Sequence, residues 1–252
     1  MRTAIQSWLS PERLRPQLET MLHLQNELNL TVMPDWAERK LAWHRAIYVE
    51  AAEYLEHLGS WKWWKKGSPD FPQANLELVD IWHFGLSCYL NQVELPAGIP
   101  RLTNRLLAAV VAAAAELPPP AEFSAIGDET RHAAVDQLVG VAGSQRDFNL
   151  EAFVKLLAFS GMDFDLLYRH YLAKNLLNRF RQENGYKTGS YARSWGGLDD
   201  NRHLEEIMDS LPIETWTPER IRHELTKRYQ ILVLNVKNTE AAGCCDPTAA
   251  GA

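Results

Sequence analysis

The segment "AIYVEAAEYLEHL" (residues 46–58) carries two acids three positions apart, Glu50 and Glu53, in a run otherwise rich in alanine, leucine and aromatic side chains. At about 100° per residue, positions i and i+3 share one stripe of an α-helix. Trp43, Ala46 and Ile47 fall on the same stripe, so the acids are expected on a face that is otherwise apolar. The pattern recurs in "NLELVDIWHFGLSC" (75–88), where Glu77 and Asp80 share a face with Ile81, Phe84 and Cys88. Two successive helices, each turning an acidic pair inward, predict an all-α chain in which four carboxylates converge.

The rest of the sequence reads the same way. "SPER" (10–13) and "TPER" (217–220) each set a hydroxyl at an N-cap with proline at the first helical position, and Asp35 with Glu38 has the spacing of a capping box. Helices are expected near 11–29, 35–58, 74–92, 101–116, 128–142, 149–159, 163–183, 199–210 and 217–230. No stretch keeps a period of two long enough to argue a sheet, and "YQILVLNV" (229–236) is the one ambiguous segment. The expected architecture is a single helical domain over 1–237. Within it Pro118 to Pro120 make 112–147 a variable helical excursion, and 238–252, with nothing large and apolar to bury, is expected to be a disordered tail.

Composition limits the function. The chain has 252 residues, 46% of them hydrophobic, and a formal net charge of -6, so no global positive field draws it to nucleic acid or to an anionic membrane. No secretory leader or membrane span is read, and three cysteines form neither a disulfide framework nor a zinc spacing. A cytoplasmic protein is expected.

A lone E-x-x-E is most often a solvated, salt-bridged helix face. Two such pairs on successive apolar faces argue differently, because several buried carboxylates need a compensating cation. Oxygen ligands of this kind suit Mg²⁺, which also bridges to substrate phosphates. His83, on another side of its helix, reads as a structural histidine. Downstream, Lys174, Asn178 and Arg181 fall at i, i+4 and i+7 as one polar stripe. Beyond them a glycine-rich loop carries Tyr186, Lys187, Tyr191 and Arg193, expected to be mobile and to close over a bound anion. Neither G-x-x-x-x-G-K-[ST] nor G-x-G-x-x-G is present. A carboxylate-held metal opposite such cations suits phosphoryl transfer.

At these residues the chain resembles a family. "MLHLQNELN" (21–29), "EAAE" (50–53) with "WKWWKK" (61–66), "ELVDIWHF" (77–84) and "KNLLNRFRQENGYKTGSYARSWGGLDDN" (174–201) are similar to the four blocks of the dimeric all-α dUTPases, within the MazG-related all-α NTP pyrophosphatases. The acid pairs are common to that superfamily; the tryptophan run and the long basic block are specific to the dUTPases. The resemblance implies hydrolysis of dUTP, and of dUDP, to dUMP. It implies two or more Mg²⁺ ions, with Mn²⁺ as a substitute, held by Glu50, Glu53, Glu77 and Asp80. It further implies a metal-activated water attacking the β-phosphate with Glu50 as base, or else Glu53. Lys174, Arg181, Tyr186, Lys187 and Arg193 match phosphate-gripping positions. Gln25, Asn29 and Trp64 match positions around uracil, Phe84 lies near sugar or base, and Asn178 with Asn201 hold the nucleoside. A homodimer is implied as well. Arg193 stands where the family commonly has lysine, and Asp199 where glutamate is usual.

The residues support part of this independently. Gln25 and Asn29 are i,i+4 on the side of a helix that carries Leu18, Met21 and Leu22, so two amides point inward, and an amide offers both the donor and the acceptor that uracil needs. The alternatives are a related pyrophosphatase for dCTP or a modified nucleotide, and a helical nucleic-acid binder using "SWKWWKK" (60–66). Acids bracketing the tryptophans argue against the second. In that run Trp64 is expected against uracil, and Trp61 and Trp63 in the core or a dimer interface.

Overall fold

The computed structural model describes residues 10–212 and 215–235. The chain forms two compact units, Met1–Asn175 and Leu176–Ala252. The structure is 72% helical, with nine α-helices among the described residues.

The first unit contains α1 (Pro11–Val32), α2 (Trp43–Leu58), α3 (Phe71–Leu90), α4 (Ile99–Ala115), α5 (Asp128–Gln145), α6 (Leu150–Phe159) and the first part of α7 (Phe164–Glu183). Helix α1 starts as expected, with Ser10 in an extended N-cap conformation and Pro11 next, although the Ser10 hydroxyl bonds Glu12 rather than a backbone N–H. Its inward stripe is Leu14, Leu18, Met21, Leu22, Gln25, Leu28 and Asn29, so both amides are carried into the interior. The helix expected over 35–58 begins only at Trp43. Residues Trp36–Glu38 make a 3₁₀ turn instead, and the Asp35 carboxylate accepts from Arg39 Nε at 2.8 Å rather than capping a helix. A guanidinium four residues on competes for the side chain that a capping box would use.

Helix α3 is the centre of this unit. The Asp70 side chain caps it by accepting from Gln73 N–H at 3.3 Å, and the helix starts three residues earlier than expected. Leu76, Leu78, Val79, Ile81, Trp82 and Leu86 are all fully buried along it, so it has almost no solvent face. Trp82 stacks on Phe153 at 5.1 Å, and its indole N–H donates to Met21 Sδ at 3.3 Å, tying α3 to α6 and α1. Helix α2 packs along α3, which brings the two acid-bearing faces together.

The second unit takes the end of α7, a glycine-rich turn, a two-residue antiparallel ladder (Ser194 opposite Asp199, Trp195 opposite Leu198), α8 (Asp200–Ser210) and α9 (Pro218–Tyr229). The ambiguous segment after Tyr229 is helical, a π turn over Gln230–Leu234. The expected tail at 238–252 lies outside the described residues. Gly196 and Gly197, both with positive φ, supply the two left-handed positions that a tight hairpin turn demands. Phe180, Tyr191, Trp195 and Tyr229 form one ring cluster, with Tyr191 stacked on Tyr229 at 5.4 Å. Helix α7 ends in a Schellman motif: Tyr186 N–H donates to the Arg181 carbonyl at 2.9 Å and Gly185 N–H to that of Gln182 at 3.3 Å.

Gly185 has φ +90°, and a Cβ there would lie 2.0 Å from Ser190 Oγ. Gly185→Ala is therefore expected to cost at least about 1 kcal/mol, read as a lower urea midpoint.

Candidate active site

Glu50 and Glu53 project from α2 and Glu77 from α3, and one carboxylate oxygen from each lies within 4.8 Å of the others. Their burial differs: Glu77 is buried, Glu50 half-buried and Glu53 exposed. Burial first, and then the charges of Asp80 and Glu53, push the Glu50 carboxyl up to about 7. Burial and then Asp80 push Glu77 up to about 9, and a hydrogen bond joins the Glu50 and Glu77 carboxyls. Like charges at short range raise one another's pKa in this way. The donor set is all hard oxygen. Glu50, Glu53 and Glu77 would suit a small divalent ion, which prefers carboxylate oxygens.

The fourth acid has another partner. Asp80 Oδ2 lies 2.7 Å from Lys174 Nζ, and this lysine is only 2% exposed. Beside the cluster, His57 Nε2 sits 3.2 Å from Glu77 Oε1. His57 was legible in principle, since it continues the Glu50, Glu53 stripe at i+7. His83 has the structural character expected of it: Nδ1–H donates to the Val79 carbonyl at 2.8 Å, the ring stacks on Tyr171 at 4.2 Å, and burial pulls its pKa down to about 4.

The base-reading candidates fall into separate groups. Gln25 and Asn29 are buried and bonded to each other, Gln25 Nε2 donating to Asn29 Oδ1 at 2.9 Å. Phe84 packs 6.3 Å from Trp43. Trp64 lies on the loop between α2 and α3 and meets Trp61 and Trp63 edge-on at 5.3 and 5.4 Å. A core position for Trp61 or Trp63 is overturned, as they are 39% and 89% exposed. On the loop over 59–70 the Lys62 ammonium lies over the Trp61 ring and pairs with Glu56, which favours the ring on the outside of the helix packing.

Within the second unit, Arg181 makes a bidentate pair with Asp200, Nε to Oδ2 at 2.8 Å and NH2 to Oδ1 at 2.7 Å. It also donates to Asn178 Oδ1 at 2.9 Å and Asn201 Oδ1 at 3.1 Å. Arg181, Asn178 and Asn201 are thus brought together around a residue that sequence reasoning passed over. Hydrogen bonds from Arg181 and Tyr191 hold the Asp200 carboxyl below the usual carboxylate range against the effect of its burial. Tyr186, Lys187 and Arg193 are exposed on the loop, with Arg193 NH2 3.5 Å from Asp199 Oδ2.

A sequence model of the dUTPase family matches residues 17–186, well over half of the chain and both acid pairs with them. No curated protein matches. The chain belongs to the dUTPase family, in its all-α form, and it is an enzyme that hydrolyses dUTP. Members of that family typically use a divalent metal, for which the Glu50, Glu53 and Glu77 cluster has the ligands. Among the described residues no helix is long and apolar enough to cross a membrane.

Glu50 and Glu77, with pKa values raised above those of an unfolded chain, stabilise the fold fully below about pH 4.5, and this contribution is lost as pH rises through about 7 and about 9. In chelator the melting temperature is accordingly expected to fall by a few degrees between pH 5 and pH 9. A divalent cation should flatten that fall and release protons at pH 7, read by calorimetry in buffers of different ionisation enthalpy.

Proposed function

We propose that the enzyme is a Mg²⁺-dependent dUTP and dUDP hydrolase in which Glu50, Glu53, Glu77 and Asp80 hold the metal and Glu50 is the general base. The observation that carries this reading is the convergence of three carboxylates from two helices, one oxygen of each within 4.8 Å of the others. The ion, when bound, neutralises phosphate charge and polarises the attacked phosphorus. Glu50 takes the proton from the attacking water. Attack on the β-phosphorus sends the water oxygen into pyrophosphate and releases dUMP. With dUDP the products are dUMP and phosphate.

Lys174, held on Asp80, sets the charge beside the metal ligands. Arg181, Tyr186, Lys187 and Arg193 are assigned to the phosphates, and Asn178 and Asn201 to the nucleoside. Gln25 and Asn29 read the uracil edge, Trp64 packs on the ring, and Phe84 borders the sugar or base. Family membership supports a homodimer and, with the net charge of -6, a free nucleotide rather than nucleic acid as ligand.

Purified protein with Mg²⁺ should convert dUTP to dUMP and pyrophosphate, with ¹⁸O from labelled water appearing in pyrophosphate only. Label in dUMP would place the attack on the α-phosphorus instead. Glu50→Gln should lower kcat by at least about 100-fold with little change in nucleotide affinity, the loss expected on removing a general base. Unchanged turnover in chelator would remove the metal from the reaction, and equal turnover of dCTP would remove the uracil assignment.

A further inference from the structure

We infer that Ser87 and Tyr171 are positioning residues that lock the Gln25 and Asn29 amides in one polarity, and that this lock is what separates uracil from cytosine. The inference rests on the base-reading role proposed for Gln25 and Asn29. An amide turned over by 180° exchanges its donor and acceptor while keeping its shape. Uracil presents N3–H as a donor beside the O4 acceptor; cytosine presents N3 as an acceptor beside the N4 amino donor. A freely turning amide therefore matches either base, and only a pinned one can reject cytosine by leaving like groups face to face.

A continuous buried chain of hydrogen bonds does the pinning, and its direction is set at its Ser87 end. The Ser87 hydroxyl lies 3.0 Å from the His83 carbonyl, which can only accept, so its proton points there. Its lone pairs are left for Asn29 Nδ2 at 3.1 Å; Asn29 Oδ1 is further away, at 3.5 Å. With its nitrogen turned to Ser87, Asn29 offers Oδ1 to Gln25 Nε2 at 2.9 Å. Gln25 then has Oε1 facing Tyr171, whose hydroxyl donates to it at 3.0 Å. The Met21 carbonyl, also 3.0 Å from that hydroxyl, competes as an acceptor for its single proton, so the polarity comes from the Ser87 end and Tyr171 supplies the donor that Gln25 Oε1 then faces; the His83 ring stacked at 4.2 Å fixes the phenol's plane. Every bond runs in one sense, from Tyr171 through Gln25 and Asn29 to Ser87 and the α3 backbone. Each amide keeps one lone pair and one N–H beyond the chain, enough to read a base edge.

Ser87 and Tyr171 are both fully buried, so they shape the site without belonging to its surface. Replacing either leaves one end of the chain without its partner. The test measures kcat/KM for dUTP and dCTP in Ser87→Ala, Tyr171→Phe, Gln25→Ala and Asn29→Ala, with melting temperatures taken alongside. The dUTP to dCTP ratio is expected to fall about tenfold or more in Ser87→Ala and Tyr171→Phe, through a higher KM for dUTP and a lower KM for dCTP, the scale on which one pocket contact discriminates. Ser87→Thr, which keeps the hydroxyl, should restore part of the ratio. If Gln25→Ala and Asn29→Ala lower the ratio while Ser87→Ala and Tyr171→Phe keep it, the positioning role is wrong and the base-reading role stands. If all four keep it, the base-reading role fails and the inference with it. A parallel loss for both nucleotides in Ser87→Ala and Tyr171→Phe, leaving the ratio at its original value, would show a merely structural role and overturn the inference.

Discussion

The structure depends on a repulsion. Glu50, Glu53 and Glu77 are gathered at the junction of α2 and α3, where burial makes the charges of Glu50 and Glu77 costly and proximity makes the set costlier. Without a cation, protons fill part of that deficit, and the Glu50 and Glu77 carboxyls share a hydrogen bond. A fold tolerates such an arrangement only if the surrounding packing is strong enough to impose it. That packing comes from α3, whose apolar side chains are sealed on nearly every side, and from the Trp82 stack on Phe153 that fixes the helix in rotation.

Around this centre, polar groups are directed by specific partners. Lys174 is buried against Asp80, so part of the acidic charge is offset within the fold. Arg181 is drawn into a fork with Asp200, which orders Asn178 and Asn201 at the same point. Gln25 and Asn29 are held between Tyr171 and Ser87. In the last two cases the residue a sequence motif would single out is kept in place by one that no motif names.

Helix content was legible because it rests on local patterns: the apolar stripe of α1, the hydroxyl and proline at its start, and the acids at i and i+3 all follow from 3.6 residues per turn. Where local signals competed, reading failed. Asp35 and Glu38 looked like a helix start, but Arg39 claims the Asp35 carboxylate and the helix begins at Trp43. Of the two places expected for Trp61 and Trp63, the core or a dimer interface, the core is excluded by their exposure on the loop between α2 and α3, and nothing in their identity reveals that. His57 was missed although its spacing from Glu50 was visible, because histidine at a helix end has many commonplace uses.

The sequence by itself determined the all-α class, the helical faces and the acidic pairs, since each follows from residue type and spacing along one element, and its resemblance in four separate blocks pointed to a nucleotide-hydrolysing family. Only the tertiary structure decided which acids meet and which is paired to Lys174, that Asp200 organises Arg181, and which way the Gln25 and Asn29 amides point. These depend on the angle and depth at which helices far apart in sequence pack, and on desolvation that exists only once they have done so. Spacing along one helix carries no information about either.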